Sequence, residues 1–322
     1  MSPVASAGVA KTKQEPKATL AHRAEFYAMR GTIKALQALS WRRAVAIGER
    51  LGALGYRPLG IRRRVVERQI AAAFPELSQR EVADMARESY RHLGRSSIET
   101  ALLGTIGREG LLKIVETVEG WDLLEDVMAR GKGLILVTGH MGNWELGGAY
   151  IASRGVPLDA IGRGMANPLF DEWLNRGREE MGITVVHDSE AVRRTPRSLR
   201  AGRAVGFVAD QGVLGLASTY VPFFGRPAKT PRGAAVFALR FDVPVLFVVT
   251  IRKPNGRYRL VFERVEIIPT GDKDRDVDAI VARYTQILEK WVRVAPEQYF
   301  WQHRRWKRQP PDTPPELRDP SA

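Results

Sequence analysis

The 322-residue chain has no cysteine, which excludes disulfides, thiolate metal sites and a cysteine nucleophile, and fits a reducing compartment. It has no uninterrupted apolar run near the roughly 18 residues of a membrane-spanning helix, and the start MSPVASAGVAKTKQEPKATL lacks the apolar centre of a signal peptide. HExxH and CxxC are both missing, and no His-rich segment stands in for them. No metal and no cofactor are therefore expected. Acidic residues are in the minority: 36 Asp and Glu against 50 Lys and Arg give a net charge of +14. That excess points to a polyanionic partner, whether nucleic acid, an anionic membrane surface or an acidic substrate.

What is present divides into four stretches. Residues 1–20 are small, polar and proline-containing and read as a disordered tail. Residues 21–110 read as helical. Phe26, Met29, Ile33 and Leu36 recur at steps of three and four, and WRRAVAIGERLGALGY places Val45, Ile47, Leu51 and Leu54 beside Arg42, Arg43 and Arg50. These basic amphipathic segments fit a helical hairpin packed on the main domain, and equally helices lying in a membrane interface. With Arg62, Arg63 and Arg64 they are expected to bind an anionic leaflet, Phe26, Ile33 and Leu36 adding a salt-resistant part. Ser78 to Glu81 is a capping-box signature opening a long amphipathic helix.

From 111 to 308 the rhythm changes. Strand-like runs at 134–138, 183–186, 204–209 and 244–251, with VPLDAIG before Arg163, alternate with helical segments near 121–130, 143–154, 168–181, 231–241 and 275–294. The alternation predicts an α/β fold with a mainly parallel mixed sheet flanked by helices, and RYRLVFERVEII adds a period-two strand suited to an antiparallel edge. Thr230 and Pro231 make an N-cap and first-turn pair for the helix after them. Residues 309–322, rich in proline, read as a loose tail.

One stretch carries chemistry on its face. In LILVTGHMGNWELGG, Leu134 to Val137 read as a strand buried on both sides, Gly139 breaks it, His140 follows at its carboxyl end, and Asn143 takes the N-cap position before Trp144 and Glu145. Ligands of open α/β sheets collect at that edge. Five positions on a helix turn through about 500°, so His140 must lie on the turn for Glu145 to fold back to it. The Glu145 carboxylate is then expected to accept from one ring nitrogen and leave the other as a base. A structural histidine and a metal half-site are the other readings of the same residues.

GHMGNWELGG, together with ADQG at 209–212, VPFFGRPAKTPRGAAVFALR at 221–240, PEQYFWQHRRWK at 296–307, the FPELS segment and GRGMANPLFDEWLNRGREEMGI, resembles the bacterial lipid A biosynthesis acyltransferases, the lauroyl and myristoyl transferases, within the His-x4-acid glycerolipid acyltransferases. The resemblance covers roughly residues 30–307. It implies transfer of an acyl chain from acyl carrier protein, or from acyl-CoA, to a hydroxyl of an anionic glycolipid, the lipid A precursor. The enzyme would sit peripherally on the cytoplasmic face of the cell inner membrane. His140 and Glu145 would be catalytic, with backbone amides from Gly139 to Asn143 or the Arg163 side chain holding the oxyanion. Relatives with much the same motifs acylate phosphoinositide mannosides or amino-acid lipids.

Substrate contacts are assigned to Asn143, to Arg163, to Asp210 and Gln211 at the end of AVGFVAD, and to Lys229 and Arg232, read as a loop at a helix entrance. His187 and His303 are read as structural. HRRWKR, with Trp301 and Trp306 among its cations, has the composition of a membrane or single-stranded nucleic-acid contact. Nucleic acid is disfavoured because no HTH, RRM, KH or OB signature accompanies it. A non-catalytic basic membrane- or nucleic-acid-binding protein is the rival class, and a metal-dependent hydrolase the second.

Overall fold

The structure is a computed structural model that describes residues 18–212 and 215–322, so most of the expected 1–20 tail lies outside the described residues. Thr19 caps the first helix, accepting from His22 N. Four helices come first: α1 (Leu20–Gln37), α2 (Trp41–Tyr56), α3 (Arg63–Ala73) and α4 (Gln79–Ile114). The Ser78 to Glu81 capping box is formed at the start of α4.

The rest alternates: β1 (Val115–Glu119), α5 (Trp121–Ala129), β2 (Leu134–Thr138), α6 (Trp144–Ser153), β3 (Leu158–Gly162), α7 (Pro168–Glu180), β4 (Ile183–His187), α8 (Ala191–Arg200), β5 (Ala204–Val208), β6 (Ser218–Phe223), β7 (Arg226–Pro231), α9 (Gly233–Phe241), β8 (Val245–Arg252), β9 (Tyr258–Val265) and α10 (Lys273–Val294). Seven strands form one sheet in the order β1-β9-β8-β2-β5-β3-β4. All its pairings are parallel except β8 with β9. The fold is thus the expected α/β arrangement with a mainly parallel mixed sheet.

Apolar runs without alternation arise because both faces of the sheet are covered. Ile135 and Val137 pack on one face, with α3, α4, α9 and α10, while Leu134 and Leu136 pack on the other. The first of these cores joins Val66, Ile70 and Tyr90 of the N-terminal helices to the sheet and to Trp301 and Trp306, so residues 21–110 share a core with the α/β region.

Several expectations are corrected. RYRLVFERVEII forms β9, but β1 pairs outside it and takes the edge. FFGRPAKTPRG at 223–233, read as a loop, supplies the turn and second strand of the hairpin β6–β7, with Lys229, Thr230 and Pro231 inside β7. The following helix starts at Gly233 with Arg232 as its N-cap. Trp301 and Trp306 are fully buried, which removes them from any membrane or nucleic-acid surface. Residues 309–322 are held in place: Gln309 donates to Pro227 O and Leu317 O, Arg226 donates to Glu316 O, and Arg304 pairs with Asp319. Ile33 and Leu36 are buried, packing with Leu102 of α4, and so do not face a lipid phase.

Small residues let α2 and α4 cross at backbone contact. A Cβ on Gly52 would lie 2.0 Å from Tyr90 O, and one on Gly94 2.0 Å from Gly48 O. Neither neighbour is a side chain that could swing aside. Gly52→Ala is therefore expected to destabilise the protein by about 1–3 kcal/mol or more through overpacking, read as a lowered thermal midpoint; an unchanged midpoint would show that the helices separate freely.

Candidate functional site

The parallel pairing of β2 with β5 sets Thr138 opposite Val208. Two residues further along each chain, at the carboxyl edge of the sheet, His140 and Asp210 meet. The ring Nδ1 of His140 lies 2.6 Å from Asp210 Oδ1, and the backbone N–H of His140 donates to Oδ2 at 3.1 Å. Asp210 is 3% exposed. Burial alone would raise its carboxyl, but the His140 charge and hydrogen bonds, with Arg305 nearby, hold it down to about 2. A carboxylate ionised at neutral pH on Nδ1 fixes that nitrogen as the N–H and leaves Nε2 with its lone pair.

Glu145 does not take this place. Its carboxylate, in the first turn of α6, points to α7 and accepts from Arg178 through Nε at 2.9 Å and through Nη2. The expected His140–Glu145 hydrogen bond is replaced by two pairs, His140–Asp210 and Glu145–Arg178. The reason is positional: His140 sits on the sheet-edge turn beside β5, whereas the helix aims Glu145 across to α7.

The turn between them is clamped from three sides. Gly142 has φ +60°, and a Cβ there would lie 1.8 Å from Thr250 O, so only glycine fits. Its carbonyl accepts from His92 Nε2 of α4 at 3.1 Å, and its N–H donates to Gln298 O. Burial pushes the His92 imidazole down to about 4, so it is a neutral donor at physiological pH. The backbone N–H of His140 is bound by Asp210, that of Met141 by Gly139 O and that of Asn143 by Thr250 O. The amides from His140 to Asn143 are thus already engaged, contrary to their expected role as oxyanion donors.

His140 lines a cavity of about 550 Å³ walled by Met29, Ile33 and Leu36 of α1, by Ile98 and Ala101 of α4, by Phe170 and Trp173 of α7, and by Trp144 and Phe300. The imidazole is 23% exposed and packs edge-on to Trp144 with ring centres 4.8 Å apart. Its Nε2 has no hydrogen-bond partner among the described residues. Glu145 lies where this cavity meets a second of about 580 Å³ between α1, α4 and α7, and a third of about 100 Å³ under α6. Among the described residues no group of three or more His, Cys, Asp or Glu converges as a metal site.

The remaining expected residues scatter. Asn143 is buried as the α6 N-cap, accepting from Leu146 N at 3.0 Å with its amide toward Glu99. Arg163, one residue past β3, is exposed and outside the cavity lining. Gln211 is half-buried beside Asp210. Lys229 is half-buried on β7, where its carbonyl accepts from Arg305 Nη1 at 2.7 Å. Arg232 is neutralised by Asp274 and Asp278 of α10 at 2.8 and 2.9 Å. His187 bonds Ser189 locally and His303, whose imidazole burial lowers to about 4, lies behind the site.

No local pattern marks Arg178, inside GRGMANPLFDEWLNRGREEMGI, or His92 as a site residue. Nor does one show that Tyr299 and Arg305, both inside the PEQYFWQHRRWK segment, stand around Asp210. Burial, then the neighbouring Asp210 charge, keeps the Tyr299 hydroxyl protonated, well above the ordinary tyrosine range.

The family model "Bacterial lipid A biosynthesis acyltransferase" matches residues 11–308. The chain is 28% identical over 270 residues to the lipid A biosynthesis lauroyltransferase of Escherichia coli (strain K12), covering 83% of this chain and 86% of that one. It is 30% identical over 267 residues to the palmitoleoyltransferase of the same organism, covering 82% and 85%. A phosphatidylinositol mannoside acyltransferase of Mycobacterium tuberculosis (strain ATCC 25618 / H37Rv) is 30% identical over 165 residues, 49% of this chain and 51% of that one. With the family's model matched from residue 11 to 308, the chain belongs to the bacterial lipid A biosynthesis acyltransferases and is an acyltransferase.

Proposed function

We propose that the protein moves a fatty acyl chain from an acyl thioester, carried by acyl carrier protein, to a hydroxyl of a lipid A precursor at the cytoplasmic face of the inner membrane, with His140 as general base. The observation that carries this reading is the 2.6 Å contact of His140 Nδ1 with the ionised, buried Asp210, which leaves Nε2 on an apolar cavity. Nε2 takes the proton of the acceptor hydroxyl as its oxygen attacks the thioester carbonyl. The tetrahedral intermediate expels the thiolate, and the imidazolium returns the proton to the sulfur. Asp210 stabilises the imidazolium between the two steps.

Glu145 acts through Arg178, fixing α7 as the cavity wall. The oxyanion falls to the first N–H groups of α6, at Trp144 and Glu145, where the helix terminus favours negative charge. Lipid A as acceptor is supported by the relatives matched over more than four-fifths of the chain. A phosphoinositide mannoside is the second reading, supported by a relative matched over about half.

No helix of the described residues is long and apolar enough to cross a membrane. Leu51, Leu54, Leu59 and Ile61 are exposed on α2 and the turn after it, among the exposed Arg43, Arg50, Arg57 and Arg64. This patch, in place of Phe26, Ile33 and Leu36, is the proposed membrane contact.

Asp210→Asn is expected to lower kcat by about 100- to 10,000-fold with little change in KM, measured as acyl transfer from acyl carrier protein to lipid; near wild-type turnover would remove His140 and Asp210 from the mechanism. Glu145→Ala and Arg178→Ala should each reduce turnover, and the double variant should be no worse than the poorer single, because the two residues act as a pair. Fully additive losses would contradict the pairing. The protein should sediment with anionic vesicles at low salt and be partly released near 1 M, where the Debye length falls to about 3 Å. Equal binding to neutral and anionic vesicles would sink the electrostatic part.

A further inference from the structure

Gln302 lines the His140 cavity and is 6% exposed, yet neither its Nε2 nor its Oε1 has a hydrogen-bond partner among the described residues. Buried amides are ordinarily paired, because stripping water from them without replacement is unfavourable. Other polar side chains of the same wall follow that rule. Asn143 caps α6, His92 donates to Gly142 O, Ser89 donates to Ala86 O, and Gln298 bonds the backbone N–H and carbonyl of Arg252. Among the described residues, Gln302 is the one lining residue with such unpaired buried atoms.

Its backbone is not loosely placed. Arg62 Nη1 donates to Gln302 O at 2.9 Å, and Gln69 Nε2 donates to the carbonyls on either side, Trp301 O and His303 O. The turn therefore holds an unpaired amide donor and acceptor at a fixed point in the cavity wall.

Among the described residues the lining contains no lysine or arginine, and its one carboxylate, Glu145, is paired with Arg178. A phosphate drawn inside would be desolvated with no counter-charge. The cationic groups of the N-terminal surface lie outside, so an anionic lipid would leave its phosphates there and present a neutral part to Gln302.

We propose that Gln302 is a specificity-determining residue whose carboxamide hydrogen-bonds a neutral hydroxyl or amide group of the substrate held beside His140. This rests on the acyl-transfer reading of the cavity. Two sources could offer that chemistry: the amides of a pantetheine-type thioester arm, or a hydroxyl or amide next to the accepting hydroxyl of the lipid.

Gln302→Leu removes both polar atoms at nearly constant volume. The full chain would be assayed with two substrate pairs: a fatty acyl thioester of pantetheine against the same acyl thioester of ethanethiol, and an N-acyl amino alcohol against its ester analogue. The wild type should favour the polar member of one pair by about ten-fold or more in kcat/KM. In Gln302→Leu that preference should collapse, while the apolar member is turned over as before. The pair that responds identifies the source.

The thermal midpoint should stay level or rise, because an unpaired buried amide has been removed. Should Gln302→Leu pack poorly, Gln302→Met serves the same comparison. No preference in the wild type, a preference surviving in the variant, or a parallel loss of stability and of all four activities overturns this inference alone. Absence of transfer by the wild type with every pair would overturn the acyl-transfer reading, and this inference with it.

Discussion

The parallel register between β2 and β5 is the constraint on which the site depends. It places residues 140 and 210 side by side although 70 positions separate them, and the 2.6 Å contact follows from it. Register in a sheet covered on both faces is strongly specified, because a slip of one residue would exchange the side chains of Leu134 and Leu136 with those of Ile135 and Val137 between two different cores. The His140 turn then needs only to be stopped from swinging. Gly142, pressed against the Thr250 carbonyl and gripped by His92 and Gln298, does that from three independent elements.

Charge is segregated around this turn. The carboxylates near His140 are each given a separate cationic or hydrogen-bonding partner: Asp210 has the imidazole, Glu145 has Arg178, and Glu99 has Arg252, Tyr258 and Asn143. Burial raises the Glu99 carboxyl, with Arg252, Tyr258 and Asn143 opposing it. Because none of these partners is shared, the imidazole answers to one carboxylate alone, and the cavity wall beyond it stays apolar.

Local pattern made much of the fold legible. The strand at 134–138, the capping box at Ser78, the N-cap at Asn143 and the long C-terminal helix all follow from composition and periodicity within a few residues. What could not be read locally were pairings set by distant chain. Glu145 sits five residues from His140, so proximity in sequence suggested a contact, while the true partner lay on another strand. Asp210 was recognisable as a polar residue at the same sheet edge, but only the strand order makes it the neighbour. The β6–β7 hairpin was hidden because Pro222, Pro227 and Pro231, unusual inside strands, are tolerated in a two-stranded ribbon that has open edges. Trp301 and Trp306 misled for a similar reason: cations beside them in sequence pointed outward in composition, while the rings turn into the core.

The glycine-lined crossing of α2 on α4 has a mechanical consequence. With backbone in contact with backbone at Gly48, Gly52 and Gly94, there is no compressible layer of side chains between the two helices. α4 also carries His92, which holds the His140 turn. A force applied to the outer face of α2 is therefore transmitted to that turn without slack, and whatever surface engages α2 meets the whole protein as a single stiff body, with the height and tilt of the cavity mouth above that surface set by the crossing itself.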